Sequence, residues 1–206
     1  MANLESGLRK MDKQDFINTV RKAQKISKPL PEYSEADTVS TTATEGSVFE
    51  AFVRNFTANH GIVVENVQEL SAKLKELGCK TGVIDSAVAQ TFGLENDFSI
   101  TREFDRSNPE QYDFGVSLAS FAIAESGSIA LQDSNTSDRL VSIAPWVHVA
   151  VLKKADIVAT ITQGLKNVLE GTPYTILVAG PSKTTDVEGV LVEGVHGPGQ
   201  QIVFFI

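Results

Sequence analysis

The sequence of Gly61–Ile84 is GIVVENVQELSAKLKELGCKTGVI, and its pattern indicates the fold class of this chain most directly. It begins with a β-branched run at Gly61–Val64, which is typical of a buried strand. The segment Asn66–Glu69 then has the pattern of a helix start, and leucines repeat with helical spacing until Gly78 stops the helix. A second short strand is predicted at Val83–Ile84. The order strand, helix, strand predicts an α/β fold with a mostly parallel sheet flanked by helices.

Two regions of different composition divide the chain. Residues 1–45 are predicted to form an N-terminal helical arm, centred on Met11–Ile26, followed by a linker at Ser27–Glu45 that is rich in Ser, Thr, Glu and Pro. Residues 46–206 are predicted to form the α/β domain.

Further elements continue the alternation within residues 46–206. Helices are predicted at Ser47–Asn59, at Asp85–Thr91 and at Thr160–Glu170. The other predicted strands lie near Phe98–Ile100, at two places within Phe114–Gln132 that meet at Glu125–Ser128, and at Trp146–Leu152, Thr175–Ala179, Val190–Glu193 and Gln201–Ile206.

The overall composition excludes several classes of protein. Hydrophobic residues make up 42% and charged residues 21% of the 206 residues, as in ordinary globular domains. The sequence has no apolar run long enough to span a bilayer and no signal pattern at its start, so we expect a cytoplasmic protein. A net charge of −8 argues against nucleic acid as a partner. The single cysteine, Cys79, excludes an intramolecular disulfide and an iron–sulfur cluster held by this chain alone, and it is interpreted as a small buried hydrophobic residue.

The segment Ala179–Asp186 is the first candidate binding loop. A buried strand at Ile176–Ala179 is expected to lead into a small-residue loop and then a helix start. Free backbone N–H groups at such a junction suit phosphate or carboxylate, helped by hydroxyls and by the charge of Lys183. Alternatively, Ser182 or Thr184 only caps the helix and nothing binds. The candidate ligand-binding residues here are Gly180, Pro181, Ser182, Lys183, Thr184, Thr185 and Asp186.

The second candidate is Glu125, which lies at a tight bend between two apolar strands. A carboxylate at a strand end could act as an acid, a base or a nucleophile, with Ser126, Gly127 and Ser128 beside it. The alternative is that Glu125 merely accepts hydrogen bonds from turn amides. The polar stretch Asp133–Arg139 is expected to form a rim near it.

The three histidines give weaker signals. His148 is interpreted as a hydrogen-bonded residue at the edge of the core, since no metal-ligand spacing surrounds it. His60 is attributed to interaction with the last carbonyls of a helix. His196, followed by Gly197, either ends a strand or faces a ligand. No metal site is predicted.

Four motifs in a fixed order resemble the LUD (lactate utilization) domain family. They are FGVS…FAIAESGS at 114–128, RLVS…PWVH at 139–148, AGPSKTTDVE at 179–188 and GVHGP at 194–198. By this resemblance Glu125, Ser126, Gly127 and Ser128 form the family's Ala-Glu-Thr/Ser-Gly turn, Gly180, Pro181, Ser182, Thr184 and Asp186 its Gly-Pro-Ser-x-Thr-x-Asp loop, and His196, Gly197 and Pro198 its His-Gly-Pro turn. Trp146, where a second proline is expected, and the acidic segment Gln132–Asp138 depart from the pattern.

The resemblance implies both a fold and a function. The implied fold is similar to the ribose-phosphate isomerase, glucosamine-phosphate deaminase and CoA-transferase superfamily. The implied function is that of a subunit in the oxidation of L-lactate to pyruvate, whose iron–sulfur clusters belong to partner subunits and which holds no cofactor itself. The alternative is a stand-alone enzyme or binding module for a phosphorylated or CoA-linked small molecule, which would use Glu125 and the loop Gly180–Asp186.

Overall fold

The computed structural model describes residues 12–23, 46–169, 174–185 and 189–206. The linker predicted at Ser27–Glu45, the helix stop after Leu169 and Asp186 lie outside these residues. Residues 12–23 contain the first helix, α1 (Lys13–Ala23), which belongs to a separate unit from the rest. Its first turn is capped by Asp12, whose carboxylate accepts a hydrogen bond from the backbone N–H of Asp15 at 2.9 Å.

Three helices and twelve strands are described in the second unit. The helices are α2 (Val48–Ala58), α3 (Val67–Glu76) and α4 (Ile161–Leu169). The strands are β1 (Ile62–Val64), β2 (Thr81–Ile84), β3 (Ser99–Thr101), β4 (Phe114–Leu118), β5 (Phe121–Ile123), β6 (Ser128–Gln132), β7 (Val147–Leu152), β8 (Ile157–Val158), β9 (Thr175–Val178), β10 (Lys183–Thr185), β11 (Leu191–Glu193) and β12 (Gln200–Phe205).

The main sheet has six strands in the order β1-β12-β7-β4-β2-β3, and every adjacent pair is parallel. A four-stranded sheet in the order β8-β5-β6-β9 is mixed, because β5 pairs parallel with β8 but β6 is antiparallel to both β5 and β9. The strands β10 and β11 form a separate antiparallel ribbon. The predicted α/β fold with a mostly parallel sheet flanked by helices is confirmed.

Hydrophobic side chains are buried on both faces of the main sheet, because successive residues of a strand point to opposite faces. On β12, Ile202 and Phe204 belong to a cluster that includes leucines of α3, whereas Val203 and Phe205 pack with Phe52 and other residues of α2. The second cluster also contains residues of β5 and β6, so the four-stranded sheet is packed on the α2 side. This face carries the segments that form the candidate site.

Local capping explains why α2 and α3 start where the sequence predicts. The hydroxyl of Ser47 accepts the N–H of Glu50, and the carboxylate of Glu50 accepts the N–H of Ser47, which completes a capping box. The side chain of Asn66 accepts the N–H of Glu69 at 2.8 Å in the same way. Both predicted starts are confirmed.

Three predictions of local structure are wrong. The segment Asp85–Thr91 forms a turn and not a helix, because the buried carboxylate of Asp85 binds the N–H of Ala87 and also the distant N–H groups of Ser137 and Asp138. The segment Phe114–Gln132 contains three strands, since the chain leaves the main sheet after Leu118 and enters the mixed sheet.

The third correction concerns the segment after Gly180. The predicted helix start is absent from Lys183–Thr185, which instead forms β10 by pairing with β11. The preceding strand β9 is only partly buried. No helix in the described part of the chain is long and apolar enough to cross a membrane.

Candidate functional site

The bend that contains Glu125 joins β5 to β6 and lies against the end of α2. Gly127 adopts a left-handed backbone conformation, with φ of 59°. A Cβ atom there would lie 2.3 Å from the backbone nitrogen of Phe56, so only glycine allows this close approach. The hydroxyls of Ser126 and Ser128 lie 2.5 Å apart. The bend is therefore packed directly on the backbone of α2.

The carboxylate of Glu125 reaches the start of α4. Its Oε2 accepts a hydrogen bond from the backbone N–H of Ile161 at 2.9 Å. An acceptor at this position stabilises one of the N–H groups that a helix leaves unpaired at its start, and negative charge is favourable there. Glu125 thus ties down a backbone amide, as one of the two interpretations of the sequence holds. The amide belongs to a helix 36 residues further along the chain, not to the turn itself.

Two asparagines, one in α2 and one at its C-cap, hold the bend in place, and no sequence motif marks either of them. The side-chain Nδ2 of Asn55 donates to the carbonyls of Ala124 and Glu125, at 2.7 and 3.2 Å. The Nδ2 of Asn59, the C-cap residue of α2, donates to the carbonyl of Ser126 at 3.0 Å. Their spacing of four residues puts both on one helix face, a signal that sequence alone does not distinguish from a solvated polar face.

The candidate loop that follows β9, predicted at Ala179–Asp186, contacts the same helix end. A Cβ atom on Gly180 would lie 2.3 Å from the carbonyl oxygen of Asn59. The ammonium of Lys183 donates to that carbonyl at 3.0 Å and lies 3.8 Å from a carboxylate oxygen of Glu193. The same carboxylate oxygen is 2.7 Å from Nδ1 of His60. His60 thus pairs with Glu193, where the sequence suggested interaction with the last helix carbonyls. The charge of Lys183 is satisfied largely within the protein.

The predicted turn at His196–Pro198 packs on the loop that contains Ser182. The N–H of Ser182 donates to the carbonyl of Pro198 at 2.9 Å, and the N–H of Gly194 donates to the carbonyl of Ser182 at 2.8 Å. Gly197 lies beside the side chain of Ser182, while His196 is exposed. Three of the sequence motifs are therefore joined through the end of α2 and through Ser182.

An open cleft of about 510 Å³ lies where the bend that contains Glu125 meets α2 and α4. It is lined by Asn55, Ala58, Asn59, Glu125, Ser126 and Ile161. Hydrogen-bonding atoms of Asn55, Asn59 and Glu125 are thus gathered around one space. This cleft is the candidate functional site.

The polar segment Asp133–Arg139 is not a rim near Glu125. It begins where β6 ends, whereas Glu125 precedes the start of β6, and the five residues of that strand separate them by roughly 15 Å. Its side chains have structural partners instead: Arg139 pairs with Asp133 and lies over the ring of Tyr174, and Asn135 donates to the hydroxyl of Ser120.

His148 and Cys79 are both buried. Cys79 is the buried hydrophobic residue that the sequence predicts, whereas His148 is hydrogen-bonded as predicted but lies inside the main sheet and not at the edge of the core. Nε2 of His148 lies 2.7 Å from the hydroxyl of Ser117, and Nδ1 lies 2.9 Å from Oε1 of Gln201. Burial lowers the pKa of His148 to about 4. Burial and the nearby carboxylate of Asp113 raise the pKa of Cys79 to about 11, which disfavours the reactive thiolate. Within the described residues, no three His, Cys, Asp or Glu side chains are grouped as metal ligands.

The parallel sheet, its helical cover and the cleft beside α2 place this chain among the α/β domains. More specifically, the LUD domain family matches residues 39–206, and the chain belongs to that family. Lactate utilization protein C of Macrococcus caseolyticus is 26% identical over 91% of this chain and 92% of its own length.

Other relatives match a shorter segment. Proteins with the same name are 37% identical in Shouchella clausii and 36% identical in Bacillus subtilis, over 42% and 43% of this chain. The matched segment spans 40% of each of these two relatives. A crystal structure of a DUF162 family protein from Deinococcus radiodurans shares the fold, with a TM-score of 0.56 and 22% identity over 77% of this chain and 95% of that one.

Proposed function

We propose that this chain is a cytoplasmic component of a lactate utilization system, in which L-lactate is oxidised to pyruvate. The observation that supports this most strongly is the match to lactate utilization protein C of Macrococcus caseolyticus, which extends along 91% of the chain. Several shorter matches to proteins of the same name agree with it.

The cysteine content supports a proposed division of work within that system. Iron–sulfur clusters are held mainly by cysteine thiolates, and this chain has one cysteine, which is buried. We therefore assign the clusters to partner subunits and the role of a cluster-free subunit to this chain. Residues 1–45 would be an arm attached to the LUD-type domain at 46–206.

Within this chain, the cleft beside Glu125 is the proposed working surface. Glu125, Ser126 and the two asparagines of α2 supply its polar groups. Catalysis by Glu125 stays a prediction, as does ligand binding by Ser126, Gly127, Ser128, the loop Gly180–Asp186 and the turn His196–Gly197.

A deletion experiment tests the proposed function. Removal of the gene from its own host should abolish growth on L-lactate as the carbon source and leave growth on pyruvate unchanged, because only the oxidation step is lost. A plasmid copy should restore growth, and the tagged protein should co-purify with iron–sulfur chains. Normal growth of the deletion strain on L-lactate would refute the proposal.

A further inference from the structure

The free side-chain groups of Asn55, Asn59 and Glu125, which line the cleft, are mainly hydrogen-bond acceptors. Nδ2 of Asn55 and of Asn59 already donates to backbone carbonyls, which fixes the orientation of both side-chain amides. Oε2 of Glu125 accepts from Ile161. Among the side-chain groups of these three residues, those that remain without a partner in the described part of the chain are Oε1 of Glu125, Oδ1 of both asparagines and one N–H of Asn59. Three of these four groups can only accept hydrogen bonds.

The start of α4 does not offset this excess of acceptors at the cleft, because Ile161 is the described residue of α4 that lines it and its N–H is already used. The N–H of Thr162 has no partner among the described residues, but Thr162 is not one of the lining residues. Ile161 donates to Glu125, and the N–H of Gln163 donates to the hydroxyl of Thr160 at 3.4 Å. The side chain of Gln163 in turn accepts from the N–H groups of Ala159 and Thr160. An anion bound to the N–H of Ile161 would have to displace the carboxylate of Glu125.

The charge of the cleft is negative, which also favours a hydrogen-bond donor as the ligand. Among the described residues that line it, Glu125 is the only charged side chain. The nearby ammonium of Lys183 is directed to the carbonyl of Asn59 and to Glu193. We propose that the cleft binds a positively charged group that donates hydrogen bonds, an ammonium or a guanidinium, between Glu125 and the amide oxygens of Asn55 and Asn59.

The volume is consistent with such a ligand. A cleft of about 510 Å³ lies within the ordinary range for small-molecule sites and also admits the end of a Lys or Arg side chain from another protein. Both sources carry the same chemistry. The inference does not depend on the role in lactate utilization, so a deletion strain that grows on lactate would leave it intact.

To test this proposal, small probe molecules are titrated into the full chain, and the NMR chemical shifts of the side-chain amides of Asn55 and Asn59 are followed. The cationic probes are methylammonium and methylguanidinium, the anionic probes are acetate and inorganic phosphate, and N-methylurea is an uncharged analogue of methylguanidinium. We expect saturable shifts at both asparagines with the cations only. Tighter binding of agmatine than of acetyl-Gly-Arg-Gly-amide would identify a small molecule as the source, and the reverse order a protein side chain.

Two variants separate the role of charge from that of structure. In Glu125→Gln the amide oxygen still accepts from Ile161 while the charge is lost, so methylguanidinium binding should weaken roughly tenfold, as expected for a charge-assisted hydrogen bond. Glu110→Gln, which removes an exposed carboxylate outside the cleft, should bind like the parent. If Glu125→Gln does not fold, Ala58→Lys should block the probe by placing an ammonium at the cleft, and Ala58→Gln should not.

Several outcomes would overturn the inference. They are saturable shifts with acetate or phosphate but not with the cations, equal affinity for N-methylurea and methylguanidinium, unchanged affinity in Glu125→Gln, and no saturable shift with any probe.

Discussion

Lowering the pH from 7 to 5 should destabilise the protein through His148. This residue lies on β7 in the middle of the main sheet, between Ser117 of β4 and Gln201 of β12. Because Oε1 of Gln201 can only accept, Nδ1 of His148 carries the proton, and Nε2 accepts from the hydroxyl of Ser117. A second proton, on Nε2, would turn the Ser117 hydroxyl away and place a charge in a fully buried site.

The pKa of His148 sets the size of the effect. Burial lowers this pKa from 6.5 to about 4, although the hydrogen bond with Gln201 acts in the opposite direction. The unfolded chain therefore takes up the proton first as the pH falls, so the stability due to neutral His148 is complete above about pH 6.5 and is lost towards pH 4. The free energy of unfolding should fall by about 2 kcal/mol between pH 7 and 5, and by about 3 kcal/mol in total below pH 4.

Urea unfolding of the parent and of His148→Gln at several pH values measures this contribution. The variant keeps an amide that can donate and accept but cannot titrate in this range, so its unfolding free energy should depend less on pH by about 2 kcal/mol between pH 7 and 5. Nitrogen chemical shifts of the imidazole should show a neutral ring with its proton on Nδ1 throughout. The same pH dependence in parent and variant, or an imidazole that gains its proton near pH 6.5, would refute the reasoning.

Three further predictions concern the bend and the turn after β2. Gly127→Ala should lower the free energy of unfolding by about 3 kcal/mol, because its Cβ would meet the backbone of Phe56; an unchanged urea midpoint would contradict the close packing. Glu125→Ala should cost about 1 kcal/mol through the lost cap on Ile161, whereas Glu125→Gln should unfold within about 0.5 kcal/mol of the parent; equal losses would exclude the cap. Asp85→Asn should cost about 3 kcal/mol, because one acceptor oxygen of a buried carboxylate becomes a donor; a Tm close to that of the parent would show that its backbone partners rearrange.

Sequence reasoning succeeded where local chemistry fixes the structure. The starts of α2 and α3 depend on capping hydrogen bonds between residues only three positions apart. These pairs are Ser47 with Glu50 and Asn66 with Glu69. The runs of β-branched and aromatic residues that become β1 and β12 likewise predict strands through their composition alone. The turn at Asp85 was missed because its decisive partner, Ser137, is 52 residues away. The strand Lys183–Thr185 was missed because it exists only through pairing with β11.

In the candidate site, too, the sequence indicates the residues with local signals and not those that act through distant partners. Glu125 and its glycine turn could be selected from sequence, because a carboxylate between apolar strands is conspicuous. Asn55 and Asn59 could not, since nothing within α2 indicates that the carbonyls of a bend about 70 residues later need donors there. The free amide oxygens of the cleft belong to those two side chains, so the sequence could not indicate which ligand chemistry the cleft suits; its anion prediction concerned the loop Ala179–Asp186.

The position of β12 between β1 and β7 in the main sheet has a consequence for biosynthesis. The strand β1 pairs only with β12 in that sheet, so a nascent chain that has exposed Ile62 must wait until Ile202 has been translated before this edge finds its partner. The unpaired backbone edges of β1 and β7 that face that gap remain open until β12 has been made, which exposes them to chaperones and to neighbouring nascent chains. Codon usage or temperature changes that slow translation of β12 should therefore increase aggregation of newly made protein without altering the stability of molecules that have already folded.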